Sequence, residues 1–342
     1  MAILLWLRLA TASRLQRPEA ANLRLSAFIC GSILSVSIRG SVRSARGEIP
    51  VNDYRTPLSV GVCATLACLL EVTAAKPGNV YRGADFEDLT YLDFLVSATV
   101  IGPVMERAAV ERAGQRVGET VLAAVEATRS AVATNTNLGT LLLLAPLSAV
   151  PRQTPLSSGI ASVLSDLDEE DADRVYEAIR RAAPGGMGTL PEADVAYEPT
   201  TSLVEAMRLA ESRDLVARQY VNAFADVLQR IVPWLTEGLA QGWSLSDAIV
   251  WTHVRQMSEV PDSLIARKCG WEIAEQASVR AAQLLATGGP GEAAYEHGLA
   301  DFDFWLRSDG HRRNPGTTAD LICAGLFAAL REGLIRWPLT AR

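Results

Sequence analysis

From Pro57 onward, apolar residues recur mostly at three- and four-residue spacing, and the alternating β-branched runs of a strand are nearly absent. This pattern predicts an all-α body. Helices are expected at about 58–75, 90–112, 115–133, 138–149, 168–183, 200–212, 214–230, 244–258, 263–286, 290–307 and 316–333. Turn-forming sequences break the periodicity between them: Lys76-Pro77-Gly78-Asn79, Pro184-Gly185-Gly186, Gly288-Gly289-Pro290-Gly291 and Asn314-Pro315-Gly316. No internal repeat and no low-complexity linker divides residues 51–342, so a single compact multi-helix domain is the expected organisation.

Residues 1–50 follow a different pattern. They hold seven arginines, only Glu19 and Glu48 as acids, and many serines. Two apolar stretches, Ile3 to Leu9 and Leu25 to Ile38, are shorter than the roughly 20 residues that span a bilayer, so no membrane association is expected. Such a segment suits a transit peptide, a disordered arm, or upstream sequence read from a start ahead of the true one. We favour the last, with Val51 as a GTG start and Arg46-Gly47-Glu48 encoded by a purine-rich ribosome-binding site. The segment is expected to be a poorly structured N-terminal extension without chemistry.

Composition narrows the picture further. The chain of 342 residues is 49% hydrophobic and 21% charged, which excludes a disordered or collagen-like polymer. Its net charge is −7, and residues 51–342, with 25 basic against 37 acidic side chains, stand at −12. A nucleic-acid polymer is therefore not an expected partner. Of 32 basic residues, only Lys76 and Lys268 are lysines, and a compact ammonium is not interchangeable with an arginine fork. The five cysteines form no CxxC pair and suit reduced thiols in a cytoplasmic protein. The three histidines are scattered, so a metal, if used, would be held by oxygen. Six acids between Ser165 and Asp173 read as an exposed helix start.

Four motifs carry candidate chemistry. In Glu71-Val-Thr-Ala-Ala-Lys76-Pro77-Gly78-Asn79-Val80, Lys76 either caps a helix end or offers a charge to phosphate, while Gly78 allows close backbone approach. Asn135-Thr136-Asn137-Leu138-Gly139 precedes a strongly apolar helix and holds more amides than one N-cap needs, which suits an anion at a positive helix end. Arg213-Asp214 and Asp262-Ser263 each open a helix, and the latter is followed by the paired cations Arg267-Lys268. These could hold polyphosphate, with magnesium bridging to the acid. In Asn314-Pro315-Gly316-Thr317-Thr318-Ala319-Asp320-Leu321, a threonine caps the helix and Asp320 is a metal ligand or general base in its first turn.

Taken in order, these motifs resemble the triphosphoribosyl-dephospho-CoA synthases. The matching residues are Glu71 with Lys76-Pro77-Gly78-Asn79-Val80, Phe94-Leu95-Val96-Ser97, Asn135 to Gly139 with Leu144-Ala145-Pro146-Leu147, and Asn314-Pro315-Gly316 to Asp320-Leu321. The resemblance spans about residues 58–335. It departs where the citrate lyase and malonate decarboxylase enzymes continue KPGLVD, since this chain has Asn79-Val80-Tyr81-Arg82. Segments 182–188, 213–220 and 262–268 look more like the archaeal branch and bacterial relatives that make methanopterin-type C1 carriers.

The resemblance implies a cytoplasmic transferase that joins the triphosphoribosyl part of ATP to dephospho-CoA with loss of adenine. It implies ATP as substrate, Mg²⁺ beside the phosphates, and room for a homodimer. Lys76, Gly78, Arg213, Arg267 and Lys268 are then expected at the phosphates, and Asn79, Asn135, Asn137 and Asn314 at ribose or base. Glu71, Asp214 and Asp320 are the expected catalytic carboxylates, with Asp262 and Asp320 as metal ligands. Two alternatives stand beside this reading: a related transferase acting on another acceptor in C1-carrier synthesis, and a non-catalytic helical nucleotide-binding or scaffold protein.

Overall fold

The computed structural model describes residues 57–110, 116–132, 134–182 and 201–336. The extension expected over 1–50, with Cys30, and nearly all of segment 182–188 lie outside them. The described residues form fourteen α-helices and one π-helical turn joined by loops, with no strand among them, as the hydrophobic spacing predicts. They are α1 Val60–Thr73, α2 Tyr91–Val110, α3 Val117–Ala131, α4 Leu138–Ala149, α5 Leu156–Ser165, α6 Glu169–Ala182, α7 Leu203–Ala210 and α8 Leu215–Val221. After the π turn Val227–Ile231 come α9 Val232–Ala240, α10 Leu245–Glu259, α11 Ser263–Cys269, α12 Trp271–Leu285, α13 Ala293–Arg307 and α14 Gly316–Arg331. None of these helices is long and apolar enough to cross a membrane.

Two helices form the centre. Leu138, Leu141 to Ala145 and Leu147 bury α4 on all sides, and α14 is buried from Thr317 to Arg331, with only Asp320 partly open to solvent. Helices this apolar all round belong inside a bundle rather than on it. Around them, α1 packs on α2 and α14, α3 on α4 and α6, and α9 on the π turn and α10. A second apolar cluster joins α10 to α13 through Val254, Met257, Ala274, Ala277, Tyr295 and Phe302.

Where the structure departs from the expected helices, a local cause is visible. The stretch expected at 263–286 breaks at Gly270, whose φ of +96° no side-chain-bearing residue adopts readily. The stretch at 214–230 breaks at Ala223 and Phe224, both left-handed. That kink folds Arg218, Gln219 and Asn222 onto the buried carboxylate of Asp226, which Arg230 also reaches. Helix α5 was not expected, because Ser157, Ser158 and Gly159 are poor helix formers. Its buried stripe of Leu156, Ile160 and Leu164 holds it in place.

Several helix starts are satisfied by acids from elsewhere in the bundle. Glu106 on α2 accepts the N–H of Gly61 in α1 at 2.6 Å, and Glu332 accepts that of Leu156 in α5 at 3.2 Å. The acidic run before α6 is only partly the exposed helix start it was expected to be. Asp171 is buried, accepts the Gly118 N–H of α3 at 2.8 Å, and with Asp168 and Glu170 gathers Arg116. At the other end of α14, fully enclosed Arg331 donates to the carbonyls of Val150, Pro151 and Thr154 and pairs with Glu332. Arg331→Met would leave those carbonyls without their donor. We expect a stability loss of about 3 kcal/mol, read as a lower urea midpoint with an unchanged slope.

Candidate active site

The start of α4, the start of α14 and the end of α1 meet at one place, and Asp320 stands at the junction. Its Oδ1 accepts the Thr140 hydroxyl of α4 at 2.7 Å. The carboxylate lies so close to Gly139 that a Cβ there would overlap it. This explains glycine in the Asn135 to Gly139 motif without appeal to a ligand. Burial pushes the Asp320 carboxyl up to about 7; the Thr140 hydrogen bond opposes that shift, and the nearby charges of Glu71 and Asp262 reinforce it. An acid with a pKa near neutrality is suited to exchange a proton at physiological pH.

Several expected ligand-binding groups are engaged by the protein itself, Lys76 and Asp262 completely and Asp214 and Arg213 in part. Lys76 is completely enclosed, and its ammonium donates to the carbonyls of Glu71 and Ala74 and pairs with Glu71 Oε1 at 2.9 Å. An ammonium has three hydrogens, so none is left for phosphate. Lys76 instead closes the end of α1 and orients Glu71. Asp262, expected at a metal, accepts the N–H groups of Leu264 and Ile265 with one oxygen and the N–H and hydroxyl of Thr318 with the other. All four bonds are 3.0 Å or shorter, and they use the lone pairs that a metal would need. Asp262 thus bolts the start of α11 to the start of α14. Asp214 caps α8 through Val216 and Ala217 and faces Arg267 at 3.7 Å, while Arg213 donates to the Leu209 carbonyl at the end of α7.

Other expected residues keep capacity to spare. Glu71 is buried, and its Oε2 has no partner among the described residues. Asp320 uses one oxygen on Thr140. The Asn79 amide nitrogen donates to Asn314 Oδ1 at 2.8 Å, leaving its own buried oxygen without a partner. Asn135 caps α4 through Leu138, whereas buried Asn137 makes no cap bond. Arg267 has a buried Nε without a partner, and Lys268 is exposed at the end of α11.

Three residues escaped sequence reasoning. Asp303 and Arg307 have the i,i+4 spacing of an ordinary surface pair, yet they clamp the Pro77 to Asn79 turn. Asp303 accepts the Gly78 N–H at 2.7 Å, and Arg307 pairs with Asp303 and donates to the Asn79 carbonyl. His253 on α10 is fully buried with neither ring nitrogen partnered, and burial and the charge of Lys76 hold it well below the usual histidine range. No spacing signal marks an isolated histidine on a mixed helix face.

Asp320 links chemistry to stability. Its folded pKa is raised, so the fold favours the protonated form, and ionisation costs stability progressively from about pH 4 to about pH 7. In metal-free buffer, Asp320→Asn should therefore be increasingly more stable than wild type across that window. The difference should level off above it at about 2–4 kcal/mol. Urea unfolding at pH 4.5, 6 and 8 checks this. Arg307→Lys, which loses the two-armed grip on Asp303 and Asn79, should lower kcat about tenfold with little change in melting temperature.

No protein of curated function matches the chain in sequence. Among solved structures, it resembles an Archaeoglobus fulgidus protein assigned as a triphosphoribosyl-dephospho-CoA synthase. The two are 28% identical with a TM-score of 0.55, over 70% of this chain and 99% of that one. The family described as CitG, ATP:dephospho-CoA triphosphoribosyl transferase, matches residues 57–338. That match takes in every helix described above and the whole junction around Asp320, and the chain is a transferase belonging to the CitG family.

Proposed function

We propose that Glu71 and Asp320 carry the transfer of the triphosphoribosyl part of ATP to dephospho-CoA. The supporting observation is that these two carboxylates converge at the α1, α4 and α14 junction with oxygens still free, while Asp262 is committed to helix starts and Asp214 divides its oxygens between a helix cap and Arg267. In the reaction, an acceptor hydroxyl attacks the anomeric carbon of the ribose, the bond from that carbon to adenine breaks, and the triphosphate stays on the sugar. Asp320 accepts the hydroxyl proton. Glu71, oriented by Lys76, faces the positive charge that builds on the ring as the base departs. Asn79, held by Asn314 and the Asp303–Arg307 clamp, offers its free oxygen to a ribose hydroxyl or the exocyclic amine of the base.

Arg213, Arg267, Lys268 and the start of α4 at Asn137 keep donors with which to receive the triphosphate. Of the two residues expected at magnesium, Asp320 keeps one oxygen and Asp262 none, which is too few for a protein-held ion. Asp262 has no lone pair to give, and among the described residues no group of three or more acids, histidines or cysteines could hold a metal. Mg²⁺ would enter as the counter-ion of the substrate triphosphate. The described cysteines are free thiols, in keeping with action in the cytoplasm.

Incubation with MgATP and dephospho-CoA, followed by chromatography for free adenine, tests this reading. Wild type should release adenine in step with acceptor consumed. Glu71→Gln and Asp320→Asn should each lower kcat at least a hundredfold with the KM for ATP within a few-fold, and Lys268→Ala should raise that KM about tenfold. Adenine released only with a pterin or ribosyl phosphate acceptor would transfer the assignment to C1-carrier synthesis. None with any acceptor would overturn it.

A further inference from the structure

Cys68 on α1 and Cys323 on α14 are free thiols whose sulfurs lie 3.5 Å apart, in hydrogen-bond contact. Cys68 is half-buried, whereas Cys323 is enclosed. Their positions along the two helices connect them to the carboxylates just described. Cys68 precedes Glu71 by three residues and Cys323 follows Asp320 by three, and residues at that spacing share a helix face. The dithiol therefore sits one turn behind both carboxylates, close enough that Glu71 and Asp320 act electrostatically on the Cys323 thiol.

We propose that Cys68 and Cys323 form a modification site, a dithiol that peroxide oxidises to a disulfide, and that this bond switches the transferase off. The switching half of the proposal rests on Glu71 and Asp320 being the carboxylates of the transfer. In the first step, the Cys68 sulfur attacks hydrogen peroxide, breaks its O–O bond and becomes a sulfenic acid, with one water released. In the second, the Cys323 sulfur attacks the sulfur of that sulfenic acid. The S–O bond breaks, a second water leaves and the disulfide remains. Two thiols have then lost two electrons and two protons to one peroxide. The hydrogen bond with Cys68 and burial keep Cys323 in its thiol form, so the first attack falls to half-buried Cys68.

The inhibition follows from geometry. A disulfide holds its sulfurs at about 2.05 Å, so they must approach by about 1.5 Å. Neither helix is free to slide as a whole. The start of α1 is held by Glu106, the start of α14 by Asp262, and the end of α14 by Arg331. The displacement is taken up locally, at the turn that carries Glu71 on one side and Asp320 on the other. A misplacement of about 1 Å in a reacting constellation can cost on the order of a hundredfold in rate.

Full-length reduced protein is treated with hydrogen peroxide, quenched with catalase, and divided between the adenine-release assay and non-reducing peptide mapping. We expect a linked peptide containing Cys68 and Cys323, two hydrogens lighter than its reduced parts. We also expect kcat lower by tenfold or more, with recovery on adding dithiothreitol. Cys68→Ala should keep wild-type basal activity and resist peroxide, and Cys323→Ala provides the same control if the first variant folds poorly. Absence of the linked peptide, its presence with unchanged kcat, or equal peroxide sensitivity in the variants would each overturn the proposal. A reduced wild type that releases no adenine would overturn the transfer reading and the switch together, while the linked peptide would still establish the disulfide.

Discussion

An α-helix begins with backbone N–H groups that have no partner within it, and the fourteen helices of the described residues multiply that requirement. In this protein it is met largely by carboxylates, and often by carboxylates of another helix. Glu106 serves α1, Asp171 serves α3, Glu332 serves α5, Asp214 serves α8, and Asp262 serves α11 and α14 together. Each such bond satisfies a buried donor, places negative charge at a positive helix end, and fixes one helix start against its neighbour. The acidity of the body is therefore partly structural. A share of its negative charge is consumed inside the bundle rather than displayed.

That constraint also separates the acids that build the fold from those left to act. A carboxylate whose lone pairs are filled by amides holds helices together and cannot also bind an ion or take a proton. Asp262 is the clearest instance. Glu71 and Asp320 occupy the same crowded region with oxygens to spare, and one of them is held partly protonated near neutrality by its surroundings. Keeping such a group buried works against the stability of the fold, and a group kept at that cost is a candidate for function. Membership of the CitG family supplies the chemistry that two such carboxylates would serve.

The cations follow a similar division. Lys76 was notable in the sequence as one of two lysines among thirty arginines, and it does matter, although as the internal brace of Glu71 rather than as a phosphate ligand. Lys268, at the exposed end of α11, is the lysine we propose for the phosphates. Around them, Asp303 and Arg307 give the Pro-Gly-Asn turn a rigid backing that the turn sequence alone does not provide.

Much of this was legible from residue order. Apolar spacing alone implied an all-helical body, because a 3.6-residue period reports which face of a helix is buried whatever it is buried against. The motifs at Glu71, Asn135 and Asn314 marked the segments that meet at the site, since short polar runs beside strongly apolar helices are local features. What each side chain does there was decided by tertiary structure. Whether Asp262 has a lone pair free depends on Thr318, fifty-six residues away, and whether Lys76 has a hydrogen free depends on how the chain turns after α1. The kink over Asp226, the clamp from α13 and the meeting of Cys68 with Cys323 likewise depend on which helices become neighbours. A sequence reports the hydrogen bonds a residue is able to make, and only the packed bundle determines which of them are already taken.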